Sequence, residues 1–312
     1  MRFPIKPHRI FIQKNISIMG TNILVDNNSV LDSRNPNDST SVISRDAVTD
    51  NVLGSGGSGD SKSGKKNAFY TKEGEFLGYD DKNEDKVYIS TKGNYEYSLG
   101  ITGGSDNKPN YDSLRKYSTE IGISNTEFIL RAATAYGEST AYKSQMTEEL
   151  KYEIFAIAMV NSRNEKAYGH NNDQAILFKN TSPEKRNNTK KQYAIAGVIN
   201  VLKKGEDYSN GATMWDGQEQ SFYPDTEVRG WVDLKTSRGN ISIELHMNTM
   251  GWDIKDEHFQ KWKESVGSKF LAPKTRISPD NYSKGKTKYN NKGKIRLFST
   301  AVYNKTIFWV EK

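Results

Sequence analysis

Three segments between Ser124 and Lys204 space their apolar residues for one buried helical face, and many of the inward residues are small. Ser124-Asn-Thr-Glu127 reads as a capping box, in which hydroxyl and carboxylate each satisfy an orphan amide of the other. It opens a predicted helix through Phe128, Leu130, Ala132, Ala133 and Ala135 that ends near Gly137. Thr147 is the predicted N-cap of a second helix, with Glu148 and Glu149 in its first turn and Leu150, Ile154, Ile157, Ala158 and Asn161 on one face, running to about Arg163. A third, over residues 190–204, turns Tyr193, Ala194, Val198, Val201 and Leu202 inward and is stopped by Gly205. Its Ala and Gly content suits close helix packing.

The remainder is plainer. Residues 26–66 are dominated by Asn, Ser, Asp, Gly, Thr and Lys and end in LGSGGSGDSKSGKK, which buries too little apolar surface to offset its ordering entropy. Hydrophobic residues make up 34% of the 312, and exchanging Tyr for Gly to match the usual tally leaves the chain below the ~45–50% of ordinary domains. Residues 1–66 are therefore expected to form a flexible, disordered leader. NAFYTKEGEFLGYD and KVYIS predict a small β-hairpin element over residues 67–105. ISIELHM reads as a strand, residues 256–264 as a short helix, and IRLFSTAVY-NK-TIFWVEK as a terminal hairpin. The fold class expected is α+β, mainly α, with the functional domain over residues 106–312.

Several chemistries lack their parts. There is no Cys, hence no disulfide framework, thiolate zinc site or Cys nucleophile. The four His, at 8, 170, 246 and 258, show no zinc-binding spacing, no strained Gly-x-Ser-x-Gly elbow is present, and no glycine-rich stretch carries the Lys of a phosphate loop. The expectation is an enzyme without metal or cofactor. The formal net charge of +7 comes from 45 Lys+Arg against 38 Asp+Glu, with the Lys spread through loops such as KNTSPEKRNNTKK and not along one helix face, which argues against nucleic-acid binding; attraction to an anionic cell wall uses the same electrostatics, and an ordinary solvated surface is the other reading. No apolar run is long enough for a membrane span or a classical signal peptide.

Glu138, in AYGEST, follows a glycine at a predicted helix end. A negative helix terminus and an apolar surround both disfavour the charged carboxylate, which is how a glutamic acid stays protonated to act as a general acid. The alternative on position alone is a solvated turn residue. Asp216, in the WDG segment, is the first candidate for a second carboxyl, of the kind glycosidases place ~5–9.5 Å from the acid; a loop residue capping its own turn is the other reading. Glu153 reads as a face residue of its helix. Sugar rings pack on aromatic faces while amides and hydroxyls bind their oxygens, and Trp215, Tyr136, Tyr208, Asn210 and Ser139 supply that mixture. Trp215 and Tyr136 could equally belong to the core.

Tyr136-Gly137-Glu138, then Val160-Asn161-Ser162-Arg163 at a second helix end, then Asp207-Tyr208-Ser209-Asn210-Gly211-Ala212-Thr213-Met214-Trp215, taken in order, resemble the cell-wall hydrolases of the spore-cortex-lytic type in the lysozyme-like superfamily. The resemblance covers residues 124–217. Ser162 interrupts the VNR-type end, Tyr208-Ser209 stand where that family has Pro-Thr, and the final aromatic is Trp215. The resemblance implies a lysozyme-like helical domain that cleaves the glycan strand of peptidoglycan as a muramidase or lytic transglycosylase, with Glu138 as general acid/base. With the polar leader and the lack of a classical signal peptide, the architecture resembles antibacterial toxins delivered to the periplasm or cell wall by a secretion apparatus, which implies an immunity protein as partner. The competing expectations are a noncatalytic wall- or glycan-binding or structural module, and a peptidoglycan amidase.

Overall fold

The computed structural model describes residues 66–80, 82–101, 108–163, 172–222, 230–236, 239–245, 251–276 and 296–311. The leader over residues 1–65 lies outside them, as do His8, His170 and His246. The fold is α+β: three helices at the centre, a mixed sheet on one side and a second sheet formed mainly by the C-terminal part.

The central helices are those the apolar spacing predicts. The first, α3 (Asn125–Glu138), starts at Ser124, whose hydroxyl accepts from the Glu127 N–H at 3.1 Å. The Glu127 carboxylate also takes Arg131 Nε at 3.0 Å, one turn on. The second, α4 (Glu148–Arg163), has Thr147 Oγ1 accepting from the Leu150 N–H. The third, α6 (Thr189–Leu202), lies against α4 so closely that a Cβ on Gly197 would stand 3.4 Å from Phe155 and 3.5 Å from Ala158. Small residues at the crossing permit that approach.

The element drawn over residues 67–105 is larger than a hairpin. Strands β1 (Ala68–Thr71), β2 (Phe76–Tyr79), β3 (Lys86–Ser90) and β4 (Thr119–Ser124) form one sheet in the order β2-β1-β3-β4, with β1 and β3 parallel. The boundary at residue 105 therefore cuts through a sheet. All four residues of β1 are buried because both faces are covered: Ala68 and Tyr70 join the helical core, while Phe69 packs with Tyr88 and Leu114. Between β3 and β4 lie α1 (Lys92–Ile101) and α2 (Tyr111–Lys116). Asn187 locks this sheet to the helices, donating to Phe76 O at 3.1 Å and accepting its N–H at 2.7 Å like an added strand residue.

The terminal hairpin forms as predicted, from β10 (Arg296–Tyr303) and β11 (Thr306–Glu311), but within a five-stranded sheet of order β5-β11-β10-β8-β9. The added strands are β5 (Met214–Asp216), β8 (Gly251–Asp253) and β9 (Thr275–Arg276). Trp215 and Asp216 are thus on a strand, where the sequence suggested a loop, because the edge of β11 offers ladder partners to Met214, Trp215 and Asp216. The sheet is covered on both faces. Ala301, Phe308 and Trp215 point to the helical core; Val302, Ile307 and Trp309 point to α7 (Asp256–Val266), where Trp262 is fully buried. Leu297 and Val302 share a face despite an odd spacing, because Thr300 is an extra residue in β10, and a one-residue bulge reverses the alternation. The strand predicted around residues 241–245 is β7 (Gly239–Leu245), paired with β6 (Gly230–Thr236). No helix among the described residues is long and apolar enough to cross a membrane.

Candidate functional site

Glu138 is the last residue of α3, and three local features place its carboxyl. Ser139 turns the chain out of the helix at φ −81°, ψ 169°, donates to Tyr136 O at 2.8 Å and accepts from the Ala141 N–H, starting a single 3-10 turn at Thr140–Tyr142. Asn172 caps α5 (Asp173–Asn180) by accepting from the Ala175 N–H at 2.8 Å. That bond fixes the orientation of the amide, so the group turned to Glu138 is the NH2, which donates to Oε1 at 2.9 Å. Gly137 then has to be glycine: a Cβ there would lie 2.5 Å from Asn172 Oδ1 and 2.9 Å from Ala175 Cβ. The helix–helix approach that brings the amide to the carboxyl needs that missing methyl.

Glu138 is 7% exposed, and Oε2 has no hydrogen-bond partner among the described residues. Burial pushes the carboxyl up from 4.5 to about 7, against the opposing pull of the Asn172 amide and of Trp215. The sequence-based expectation of a raised acid is met, with burial as the cause.

β5 brings the other half. Trp215 is buried beside Glu138, and Asp216, the next residue of the strand, is fully buried. The next turn, a 3-10 segment at Gln218–Ser221, carries Glu219, a residue the sequence analysis did not single out. It is 3% exposed; burial pushes its carboxyl up to about 8, with the fields of Asp216 and Glu138 adding to the rise and its own and the Gly217 N–H groups opposing it. Lys143, half-buried after the Thr140–Tyr142 turn, is pushed down to about 8 by burial and by Lys305, while Glu219 holds it up. No sequence signal marks Glu219 or Lys143, because neither lies in a recognisable spacing. Among the described residues no three His, Cys, Asp or Glu side chains converge as metal ligands.

The other candidates have structural duties. Tyr136 is buried against Phe178, ring centroids 5.4 Å apart. Tyr208 stacks on Tyr152 at 5.0 Å and meets Phe155 edge-on, with its carbonyl accepting from the Tyr303 hydroxyl. Asn210 is exposed at φ 51° and donates to Thr300 O, so the bulged residue of β10 is the docking point of this loop. Arg163, at the end of α4, holds the loop from the other side through Ser209 Oγ at 2.7 Å, Ala212 O at 2.8 Å and an ion pair with Asp207. The two motifs read separately in the sequence are one mechanical unit that sets the position of β5.

Glu153 is fully buried and gathers four donors around its carboxylate. Its two oxygens accept from the Thr140 N–H and hydroxyl, Asn304 Nδ2 and the Thr306 hydroxyl, at 2.6 to 3.1 Å. It joins α4, the turn after Glu138 and the terminal hairpin.

The raised pKa values couple folding to pH. The native state keeps protons on Glu138 and Glu219 that the unfolded chain releases near 4.5, so their contribution to stability is complete below that value and is lost as pH rises through about 7 and about 8. The melting temperature should fall between about pH 5 and about pH 9, and replacing both residues by Gln should flatten that slope. A slope unchanged in the double variant would contradict the burial-driven shifts. No family model, curated protein or solved structure matches this chain.

Proposed function

We propose that the protein cleaves the glycan strand of peptidoglycan, with Glu138 as the acid that protonates the glycosidic oxygen. The observation that carries the reading is the state of that carboxyl: buried, raised to about 7, one oxygen held by Asn172 and the other without a partner among the described residues. A group so placed keeps its proton near neutrality and has an oxygen from which to give it. The substrate class rests on the ordered resemblance of the Glu138, Arg163 and Asp207–Trp215 segments to cell-wall hydrolases, and the docking of Arg163 on the Asp207 loop supports treating them as one site. An antibacterial role after delivery to the cell wall, with an immunity protein covering the site, belongs to the same proposal.

Mass spectrometry of the soluble products from purified peptidoglycan tests it. Disaccharide-peptides released by the wild type are expected; intact glycan, or free amino groups without new sugar ends, would defeat the proposal. The Asn172 amide favours the ionised form of Glu138, so Asn172→Ala should raise that pKa further and carry the alkaline limb of the kcat/KM profile to higher pH. The same substitution removes the α5 cap at a cost of ~1 kcal/mol. An alkaline limb that stays in place would show that it does not report Glu138.

A further inference from the structure

We propose that three lysines gathered at the turn after Glu138, Lys143, Lys190 and Lys305, form a subsite for the carboxylates of the peptides that peptidoglycan carries along its glycan strand. The inference rests on the reading of Glu138 above and names the part of the substrate held beside the reacting sugar.

Hydrogen bonds bring the three together. Glu153 Oε2 accepts from the Thr140 hydroxyl at 2.6 Å and from Asn304 Nδ2 at 2.8 Å, and its Oε1 accepts from the Thr306 hydroxyl at 2.6 Å. Lys305 lies between Asn304 and Thr306, and Lys143 follows Thr140 by three residues, with its N–H donating to Thr140 O at 2.9 Å. Both lysines therefore start from residues fastened to one carboxylate. Lys190, in the first turn of α6, reaches the same place: its Nζ donates to Ala141 O at 3.0 Å and to Ser144 O at 2.6 Å, the carbonyls that bracket Tyr142 and Lys143. The Ser144 hydroxyl closes the turn on Thr140 Oγ1 at 2.8 Å, so the backbone that presents Lys143 is fixed at both ends.

None of the three ammonium groups has an ion pair among the described residues, whereas Lys86, Lys92 and Lys261 meet Glu120, Glu75 and Glu149. What sets this group apart from an ordinary solvated surface is crowding joined to burial. Lys143 is half-buried, and burial and the field of Lys305 together push its ammonium down to about 8. The two carboxyls at hand do not compensate. Glu153 is already filled by four donors, and Glu219, whose field holds Lys143 up, keeps its own proton to about 8 because it is buried. Like charges gathered without an anion repel one another, and an incoming carboxylate reverses that cost. The turn begins directly after the acid, so groups attached to a sugar bound at Glu138 are the ones within its reach. On a peptide-bearing glycan the negative charge lies on the peptide carboxylates, because the sugar's own carboxyl is spent in the amide that joins the peptide to it.

Turning the carboxyls of purified, phosphate-free peptidoglycan into amides with a carbodiimide and ammonia removes this charge without cutting the polymer. Co-sedimentation of Glu138→Gln with native and amidated polymer then reads the subsite apart from catalysis. Native polymer should be bound ~10-fold more tightly, the scale of a hydrogen bond to a charged group, and added salt should shrink the difference. Lys143→Gln in the same background should remove most of that preference and melt at or above the temperature of its parent. Lys305→Gln, at an exposed position, should remove ~2–5-fold of it. Equal binding of native and amidated polymer, or the full preference kept by Lys143→Gln, would overturn the subsite and leave the role of Glu138 standing. If Lys143→Gln fails to fold, the full preference kept by Lys305→Gln would overturn it in the same way. Polymer stripped of its peptides by an amidase keeps only the sugar's carboxylate and should bind as weakly as the amidated form; binding as tight as that of native polymer would overturn the assignment to the peptide. Intact glycan after incubation with the wild type, with the charge preference present, would overturn the reading of Glu138 and leave the subsite.

Discussion

Glu138→Gln is expected to reduce glycan cleavage by ~10²–10⁴-fold, the range a positioned general acid contributes, while leaving glycan binding intact. The replacement is nearly isosteric. The side-chain oxygen of Gln can still accept the Asn172 amide at the position of Oε1, and the α5 cap through Ala175 N–H does not involve residue 138. What disappears is the transferable proton on the atom that has no other partner among the described residues. Because the native acid is stabilised in its protonated form up to about 7, the variant should also be more stable than the wild type above that pH, where the wild type must hold a buried carboxylate. Turnover and co-sedimentation with insoluble peptidoglycan, measured side by side with melting curves near pH 8, check all three statements. Unchanged turnover would remove Glu138 from the chemistry and favour a noncatalytic wall-binding module.

The second large effect is on stability. Glu153→Ala should destabilise the fold by ~3–5 kcal/mol, because each buried donor left without an acceptor costs ~1–3 kcal/mol and several are left at once. The loss is large because the Thr140 N–H and hydroxyl, Asn304 Nδ2 and the Thr306 hydroxyl all lose their acceptor at once. In a fold of this size that corresponds to a fall in melting temperature of roughly 10 °C. Glu153→Gln keeps one acceptor oxygen and should fall between the two. Thr140 lies two residues beyond Glu138, so activity measured well below the melting transition should fall too, as the turn that ends α3 loosens. Equal melting temperatures for Glu153→Ala and the wild type would show that the cluster contributes nothing net to stability.

The helical core was legible because its signals are local. Ser124 caps within three residues, Thr147 does the same, and apolar residues at helical spacing mark α3, α4 and α6 without reference to anything distant. The terminal hairpin was legible for a similar reason, since alternating residues flank Asn304 and Lys305, and Asn304 takes the left-handed turn conformation at φ 50°. The sheet memberships were not legible. β5 is three residues long and exists because β11 presents an edge to it, and β4 completes the first sheet across an intervening pair of helices. Strand pairing of that kind is a property of two separated segments, and neither carries it alone.

The candidate site divides along the same line. The sequence by itself determined that an acid stands at the end of a small-residue helix, after a glycine, in a chain without sulfur chemistry. Its burial, the identity of its amide partner Asn172, and the presence of Glu219 and Lys143 were decided by the tertiary structure. A carboxyl's proton affinity depends on the dielectric and charges within a few ångströms, and here those neighbours come from α5, β5 and two separate turns. Glu153 makes the point in reverse. A glutamate on a helix face looks ordinary in the sequence, and only the arrival of Thr140, Asn304 and Thr306 makes it the polar centre of the fold. Local patterns specify where helices begin and end; which polar groups must share a buried volume is settled only when distant segments pack, because desolvation and Coulomb energies act through space and not along the chain.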